Sequence, residues 1–192
     1  MKLVILDRDG TINADSDEFI KSPEEWTPLP GALEAIAKLN HAGWHAVIAS
    51  NQSGLGRGLF DVASLNAMHA KMHKMLSAQG GRIDAVFYCP HTPDESCTCR
   101  KPLPGLFEQI ADRFGVDLRA SRTPVVGDGL RDLQAGSAAG CEPHLVLTGK
   151  GAEFRGRALP DTYPAGTTMH EDLAAFADWL VARQAAGKAA PT

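Results

Sequence analysis

A chain of 192 residues suits one domain of ordinary size, long enough to bury a full core and with room for small insertions but not for a second large domain. Its 19 basic and 23 acidic residues leave a net charge of −4, which offers no broad attraction for nucleic acid or an anionic membrane, so a phosphate-bearing ligand has to be held by a few placed cations. No apolar stretch approaches the ~20 residues a membrane helix needs, and the N-terminus runs straight into a strand pattern; the expectation is a soluble cytoplasmic protein, most simply a monomer.

The first element is a strand over Leu3 to Leu6, a short apolar run that delivers Asp7 and Asp9 into a turn at Gly10. In a parallel sheet the crevice beyond the strand ends is where ligands bind, and two nearby acids there can act as nucleophile and proton carrier. The same residues also fit a strand ending in a solvated Asp-Gly turn. A polar loop follows, and Pro30-Gly31 opens a helix with Leu33, Ile36 and Leu39 on one face, closed by Gly43. Trp44 to Ala49 is the second strand and empties into Ser50-Asn51-Gln52-Ser53-Gly54. The helix expected from Val62 to Gln79 carries Leu65, Met68, Met72, Met75 and Leu76 at helical spacing, a core stripe. His69 and His73 lie on it four apart, but no acidic third ligand stands nearby and both read as solvated histidines.

Ala85 to Tyr88 is a third strand, Leu106, Phe107, Ile110 and Phe114 mark a third helix, and Thr123 to Val126 is a fourth strand ending at Gly127-Asp128-Gly129. A short helix leads to a fifth strand at Leu145 to Leu147, and Thr168-Met169-His170-Glu171 reads as a capping box for a last helix bearing Leu173, Phe176 and Leu180. Residues 1–184 are expected to form the single domain, with Ala185 to Thr192 a frayed tail. Alternating strands and helices predict an α/β fold with a parallel sheet.

Strand ends and the loops after them present Asp7 and Asp9, Ser50 and Asn51, Arg100 and Lys101, and Asp128 with Asp132. This set meets the needs of phosphoryl transfer, which asks for an aligned nucleophile, a cation over the phosphoryl oxygens and a metal to neutralise charge. The carboxylates of Asp7 and Asp128 with the backbone carbonyl of Asp9 suit Mg²⁺, and Ser50 and Lys101 suit the phosphoryl oxygens. Asp132 reads either as a partner to the metal site or as a polar residue in the first turn of its helix. Cys89, His91, Cys97 and Cys99, within eleven residues, form a tetrahedral zinc set with every position filled by protein. That zinc is structural and pins the loop carrying Arg100 and Lys101. Cys141 stands apart as a small buried residue.

The ordered set Asp7-x-Asp9-Gly10-Thr11, Ser50-Asn51, Lys101-Pro102 and Gly127-Asp128 with Asp132 resembles the four signature motifs of the haloacid dehalogenase (HAD) superfamily. The resemblance implies a HAD-like Rossmannoid three-layer sandwich with a central parallel sheet, no large cap domain and a small zinc-binding loop. It also implies that Asp7 attacks phosphorus to form an aspartyl-phosphate while Asp9 serves as proton donor and then base.

Joined to the zinc loop, these motifs are similar to the D,D-heptose 1,7-bisphosphate phosphatases and to the histidinol-phosphate phosphatases. The runs from Leu6 to Asn13, Asn51 to Gly54 with Arg57-Gly58, and Cys99 to Pro102 fit the heptose family. That resemblance implies Mg²⁺-dependent hydrolysis of the C7 phosphate of D-glycero-D-manno-heptose 1,7-bisphosphate, a small-molecule sugar bisphosphate, in a pathway to bacterial lipopolysaccharide. It implies phosphoryl stabilisation by Ser50 and Lys101, substrate recognition by Arg100, and a sugar site lined by Asp15, Ser16, Asp17 and Glu18 with Asn51, Gln52 and Ser53. Arg57 is a further candidate for the distal phosphate. The family often has Lys after its fourth-motif Asp; here Gly129 stands there, and Arg131 is the nearest replacement. The alternatives are histidinol phosphate as substrate, or a zinc-loop binding module without turnover.

Overall fold

A computed structural model describes residues 1–189. Six parallel strands run in the order β3-β2-β1-β4-β5-β6, with β1 Leu3–Leu6, β2 His45–Asn51, β3 Ala85–Cys89, β4 Pro124–Gly127, β5 Glu142–Val146 and β6 Thr168–His170. The α-helices are α1 Ala32–His41, α2 Ser53–Gly56, α3 Val62–Ala78, α4 Gly105–Phe114, α5 Leu130–Ala138 and α6 Leu173–Ala189. Alternation along each strand divides the core. Val4, Leu6, Ala46 and Ile48 face a cluster under α1, α3 and α6, whereas Leu3, Ile5, Val47 and Ala49 face a second cluster under α4 and α5. The result is the three-layer α/β sandwich expected from the sequence.

The chain winds outward from β1 through β2 to β3, then crosses back to place β4 on the other side of β1. That reversal between β1 and β4 is the position where open α/β sheets bind ligands. The register Leu6↔Val126 sets the residues following both strands, Asp7 and Asp128 among them, side by side.

Several elements differ from the sequence reading. Thr168-Met169-His170 is not a capping box: it pairs with β5 as an edge strand, and the side chain of Asp172 caps α6 by accepting from Ala175 N at 2.8 Å. α6 continues through Ala189, so the segment from Ala185 is helical to that residue; the rest of the expected tail lies outside the described residues. The methionine stripe of α3 packs inward as expected, and His73 is exposed, but His69 is buried. Its ring accepts from Arg8, an arginine buried between the two aspartates that no periodicity argument reaches. Among the described residues no helix is long and apolar enough to cross a membrane.

Candidate active site

Beyond the strand ends lies a cavity of about 810 Å³ whose floor carries Asp7, Asp9, Ser50, Lys101, Asp128 and Asp132. Asp7 stands at the end of β1, where its backbone N–H donates to Val126 O at 2.8 Å. Lys101 reaches in from the opposite side. Its ammonium donates to Asp7 Oδ1 at 2.8 Å and to Ala49 O at 2.7 Å, and it pairs with Asp132 Oδ1 at 2.6 Å. Its three donors are thereby all satisfied, and although burial works against the charge, Asp132 and Asp7 hold its pKa above the ordinary lysine value.

The carboxylates of Asp7, Asp128 and Asp132 bring oxygens within 4.8 Å of one another. One lysine cannot balance them. Burial, and then the charge of Asp132, pushes Asp7 well above the usual carboxylate range, while the same two causes push Asp128 up to about 7. Asp132 binds Lys101, and its Oδ2 accepts from Gly129 N at 3.1 Å in the first turn of α5. Asp7 and Asp128 remain as hard oxygen donors carrying surplus negative charge, a set that fits a Mg²⁺ ion. The carboxylate of Asp9 does not join them.

Asp128 sits in a tight cradle. A Cβ on Gly10, whose φ is +83°, would meet Asp128 Oδ2 at 2.1 Å, and one on Gly149, at φ +49°, would meet it at 2.2 Å. Both positions need glycine for conformation and for space. The turn at Gly149 is tied down by Thr148 Oγ1 donating to Gly10 O at 2.7 Å and by Lys150 N donating to Asp128 Oδ2 at 2.8 Å.

Asp9 is clamped differently. Arg8 Nε donates to Oδ1 at 2.8 Å and Nη2 to Oδ2 at 3.0 Å, while Asn13 Nδ2 reaches Oδ1 at 2.8 Å and Gln52 Nε2 reaches Oδ2 at 3.1 Å. Burial works upward on this carboxyl, but the Arg8 charge and the hydrogen bonds outweigh it and hold Asp9 below its ordinary pKa. Two neighbouring carboxylates are thus driven in opposite directions, the separation expected of a pair with different duties. Gln52 Nε2 also donates to Ser50 Oγ at 2.8 Å, which leaves the Ser50 hydroxyl proton for another acceptor.

Asn51 borders the cavity, but its amide is largely occupied: Nδ2 donates to Lys101 O at 3.1 Å and Oδ1 accepts from Lys101 N at 3.0 Å. It holds the lysine backbone and has one amide N–H left over. Asp15, Ser16, Asp17, Ser53, Arg57 and Arg100 line the wall, whereas Glu18 is not among the lining residues. Arg57 lies over the ring of Phe19 with 5.8 Å to the centroid. The far wall, absent from the sequence reading, comes from residues 150–163, with Lys150 and Glu153 its charged contributors and Thr162 and Tyr163 its hydroxyls. Lys150 Nζ pairs with Asp15 Oδ2 at 3.2 Å. No local motif marks this segment; only the order of strands brings it beside β1.

At the end of β3, next to Asn51, the Cys/His loop closes on itself. Cys89 Sγ lies 3.8 Å from Cys97 Sγ, and His91 Nδ1 lies 3.4 Å from Cys89 Sγ and 3.3 Å from Cys99 Sγ. Sulfur atoms at the corners of a zinc tetrahedron with bonds of ~2.3 Å stand ~3.8 Å apart, so these spacings fit such an ion. The loop meets the active site where Arg100 Nη1 donates to His91 O at 3.2 Å, where Gln52 N donates to Cys89 O at 2.8 Å, and through Pro93, which lines the cavity. Cys141 is buried away from it, as expected.

A family model described as HAD-hydrolase-like matches residues 98–176. The D-glycero-beta-D-manno-heptose-1,7-bisphosphate 7-phosphatase of Bordetella bronchiseptica is 58% identical over 181 residues, covering 94% of this chain and 98% of that protein. The protein of the same name in Pseudomonas aeruginosa is 50% identical, covering 93% and 97%. A crystal structure of the B. bronchiseptica D,D-heptose 1,7-bisphosphate phosphatase, complexed with magnesium and phosphate, superimposes with a TM-score of 0.90 at 56% identity over 95% of this chain and 99% of that one. With such relatives over nearly its whole length, the chain belongs to the D-glycero-beta-D-manno-heptose-1,7-bisphosphate 7-phosphatase family of HAD-like hydrolases.

Proposed function

We propose that the protein is a Mg²⁺-dependent phosphomonoesterase that removes the C7 phosphate from D-glycero-β-D-manno-heptose 1,7-bisphosphate, releasing heptose 1-phosphate and inorganic phosphate. The observation that carries this reading is the charge arrangement at the switch between β1 and β4: a surplus of buried carboxylate around one lysine, beside a separately clamped Asp9. The substrate and its β anomer follow the names of the relatives from B. bronchiseptica and P. aeruginosa.

Asp7 is the nucleophile. Its carboxylate attacks phosphorus and the bond from phosphorus to the C7 oxygen breaks, giving an aspartyl-phosphate. Asp9 gives a proton to the departing oxygen, then takes one from the water that attacks the aspartyl-phosphate. At rest Asp9 is ionised; a phosphate dianion arriving beside it offsets the Arg8 charge and favours proton uptake. Lys101 and the free proton of Ser50 stabilise the phosphoryl oxygens. Mg²⁺, held by Asp7, Asp128 and the Asp9 carbonyl, supplies the charge that keeps Asp7 ionised and offsets the phosphoryl group. Arg57, Arg100, Arg131 and Lys150 ring the cavity as cations for the second phosphate, and Lys150 with Arg131 compensates for the missing lysine at Gly129. Asp15, Ser16 and Asp17 face the sugar hydroxyls. Zn²⁺ in the Cys/His loop is structural, and the protein works as a cytoplasmic monomer.

Phosphate release with Mg²⁺ on both heptose bisphosphate anomers and on histidinol phosphate tests the reading. A higher kcat/KM on the β anomer is expected; preference for histidinol phosphate, or no turnover, overturns it.

A further inference from the structure

A buried guanidinium is costly unless its donors are met, and Arg8 is fully buried although it lies between the two aspartates of the reaction. Its Nε and Nη2 are spent on Asp9, and Nη1 reaches His69 Nε2 at 3.3 Å. Arginine carries no acceptor, so the His69 Nε2 atom must be the acceptor and its neutral ring keeps the proton on Nδ1. His69 belongs to α3, in the helical layer under the sheet, sixty-one residues along the chain from Arg8. That helix is anchored: Lys71, two residues on, donates to Pro23 O and Trp26 O, each at 2.7 Å.

We propose that His69 is a positioning residue, which by fixing Arg8 holds the Asp9 carboxylate aimed at the leaving oxygen. The proposal rests on the reading of Asp9 as the proton donor given above. Asp9 lies past the strand end, so the sheet ladder does not set its direction; Arg8, Asn13 and Gln52 do. Arg8 supplies two of those contacts and is itself steadied by the imidazole. Without that acceptor, a buried N–H is orphaned and the guanidinium turns to find another, taking Asp9 with it. A displacement of about 1 Å in a catalytic group lowers a rate by up to ~100-fold.

The experiment compares kcat/KM on heptose bisphosphate with that on p-nitrophenyl phosphate, since kcat/KM reports the step in which the leaving group departs. A sugar alkoxide needs a proton from Asp9, whereas p-nitrophenolate leaves almost unaided. His69→Leu should lower kcat/KM on the sugar substrate about 10-fold more than on the aryl ester. His69→Gln, whose amide oxygen reaches the Nε2 position, should restore most of the difference. His69→Asn, equally polar but too short, should not, and this pair decides the matter should the leucine variant fail to fold. Asp9→Asn is measured alongside. If Asp9→Asn discriminates between leaving groups and the His69 variants lose equally on both, or lose nothing, His69 is only a packing residue. If Asp9→Asn itself fails to discriminate, the assignment of the acid falls, and the role of His69 with it.

Discussion

Two clusters of ligating side chains lie at either side of Arg100, and they are assembled on opposite plans. The carboxylates come from the ends of β1 and β4 and from α5, segments some 120 residues apart, and they carry more negative charge than Lys101 can balance. The thiols and imidazole come from a single loop, and its four positions account for a full tetrahedron. A cluster left short of charge and open to a cavity is equipped to bind a changing partner. One that is saturated by its own loop can only hold that loop in place. The difference supports the proposed placement of the chemistry at Asp7 and the supporting role proposed for the Cys/His loop.

The strongest way to break this contrast is at the carboxylates. Asp7→Asn is expected to reduce phosphate release by on the order of 10⁴-fold or more, with the thermal midpoint near the parent's, because the neighbouring carboxylates are engaged elsewhere, Asp9 by Arg8, Asp132 by Lys101 and Asp128 by Lys150 N. Retained turnover by a folded variant would remove Asp7 from its role. Lys101→Met is expected to cost 10²–10³-fold in kcat, roughly the loss on deleting one preorganised charge donor.

Zinc removal examines the other side of the contrast. Chelation is expected to take about one zinc per chain, to lower kcat by about 10–100-fold through the freed Arg100 and Lys101, and to make the loop from Cys89 to Cys99 sensitive to protease. The two hydrophobic layers draw mainly on the strands and helices, so the far-ultraviolet circular dichroism should change little. Complete unfolding on chelation would show that the loop supports far more than one end of the site.

Much of this was legible in the chain because short-range chemistry marks it. Asp7-Arg8-Asp9-Gly10 follows an apolar run, the Cys/His spacing closes within one loop, and the α3 stripe repeats at helical period. What was missed depends on long-range pairing. His69 could not be told from a solvated histidine until α3 was laid under the turn at Arg8, and β6 looked like a helix cap until it paired with β5. The wall from Lys150 to Tyr163 has no motif and is brought in by strand order alone. Asn51 and Gln52 were legible as site residues, but their work of holding Lys101 and Asp9 was not, since an amide does not announce its partner.

A third buried titratable group has no ligand to hold and serves as a control for both clusters. His144 on β5 and His170 on β6 share a hydrogen bond of 3.1 Å beneath Phe176 and Trp179, with Glu142 and Arg183 the nearest charges. Burial, then the neighbouring imidazole, pushes His144 down to about 3, and burial pushes His170 down to about 4. Charging His144 would also create a second buried N–H where Nε2 now has no partner. The unfolded chain binds these protons near the ordinary value of ~6.5, so it holds more protons than the folded chain below that pH. The sign is therefore fixed: the contribution is complete above about pH 6.5 and is lost as pH falls toward the folded values, by up to about 1.4 kcal/mol per pH unit for each histidine. Denaturant unfolding of the zinc-loaded protein between pH 7 and pH 5 should show this slope, and His144→Leu should flatten it. A slope unchanged by that variant would assign the acid sensitivity to the zinc loop, whose ligands are also lost to protons, or to His69, which burial pushes down to about 4; the raised carboxyls of Asp7 and Asp128 act in the opposite direction.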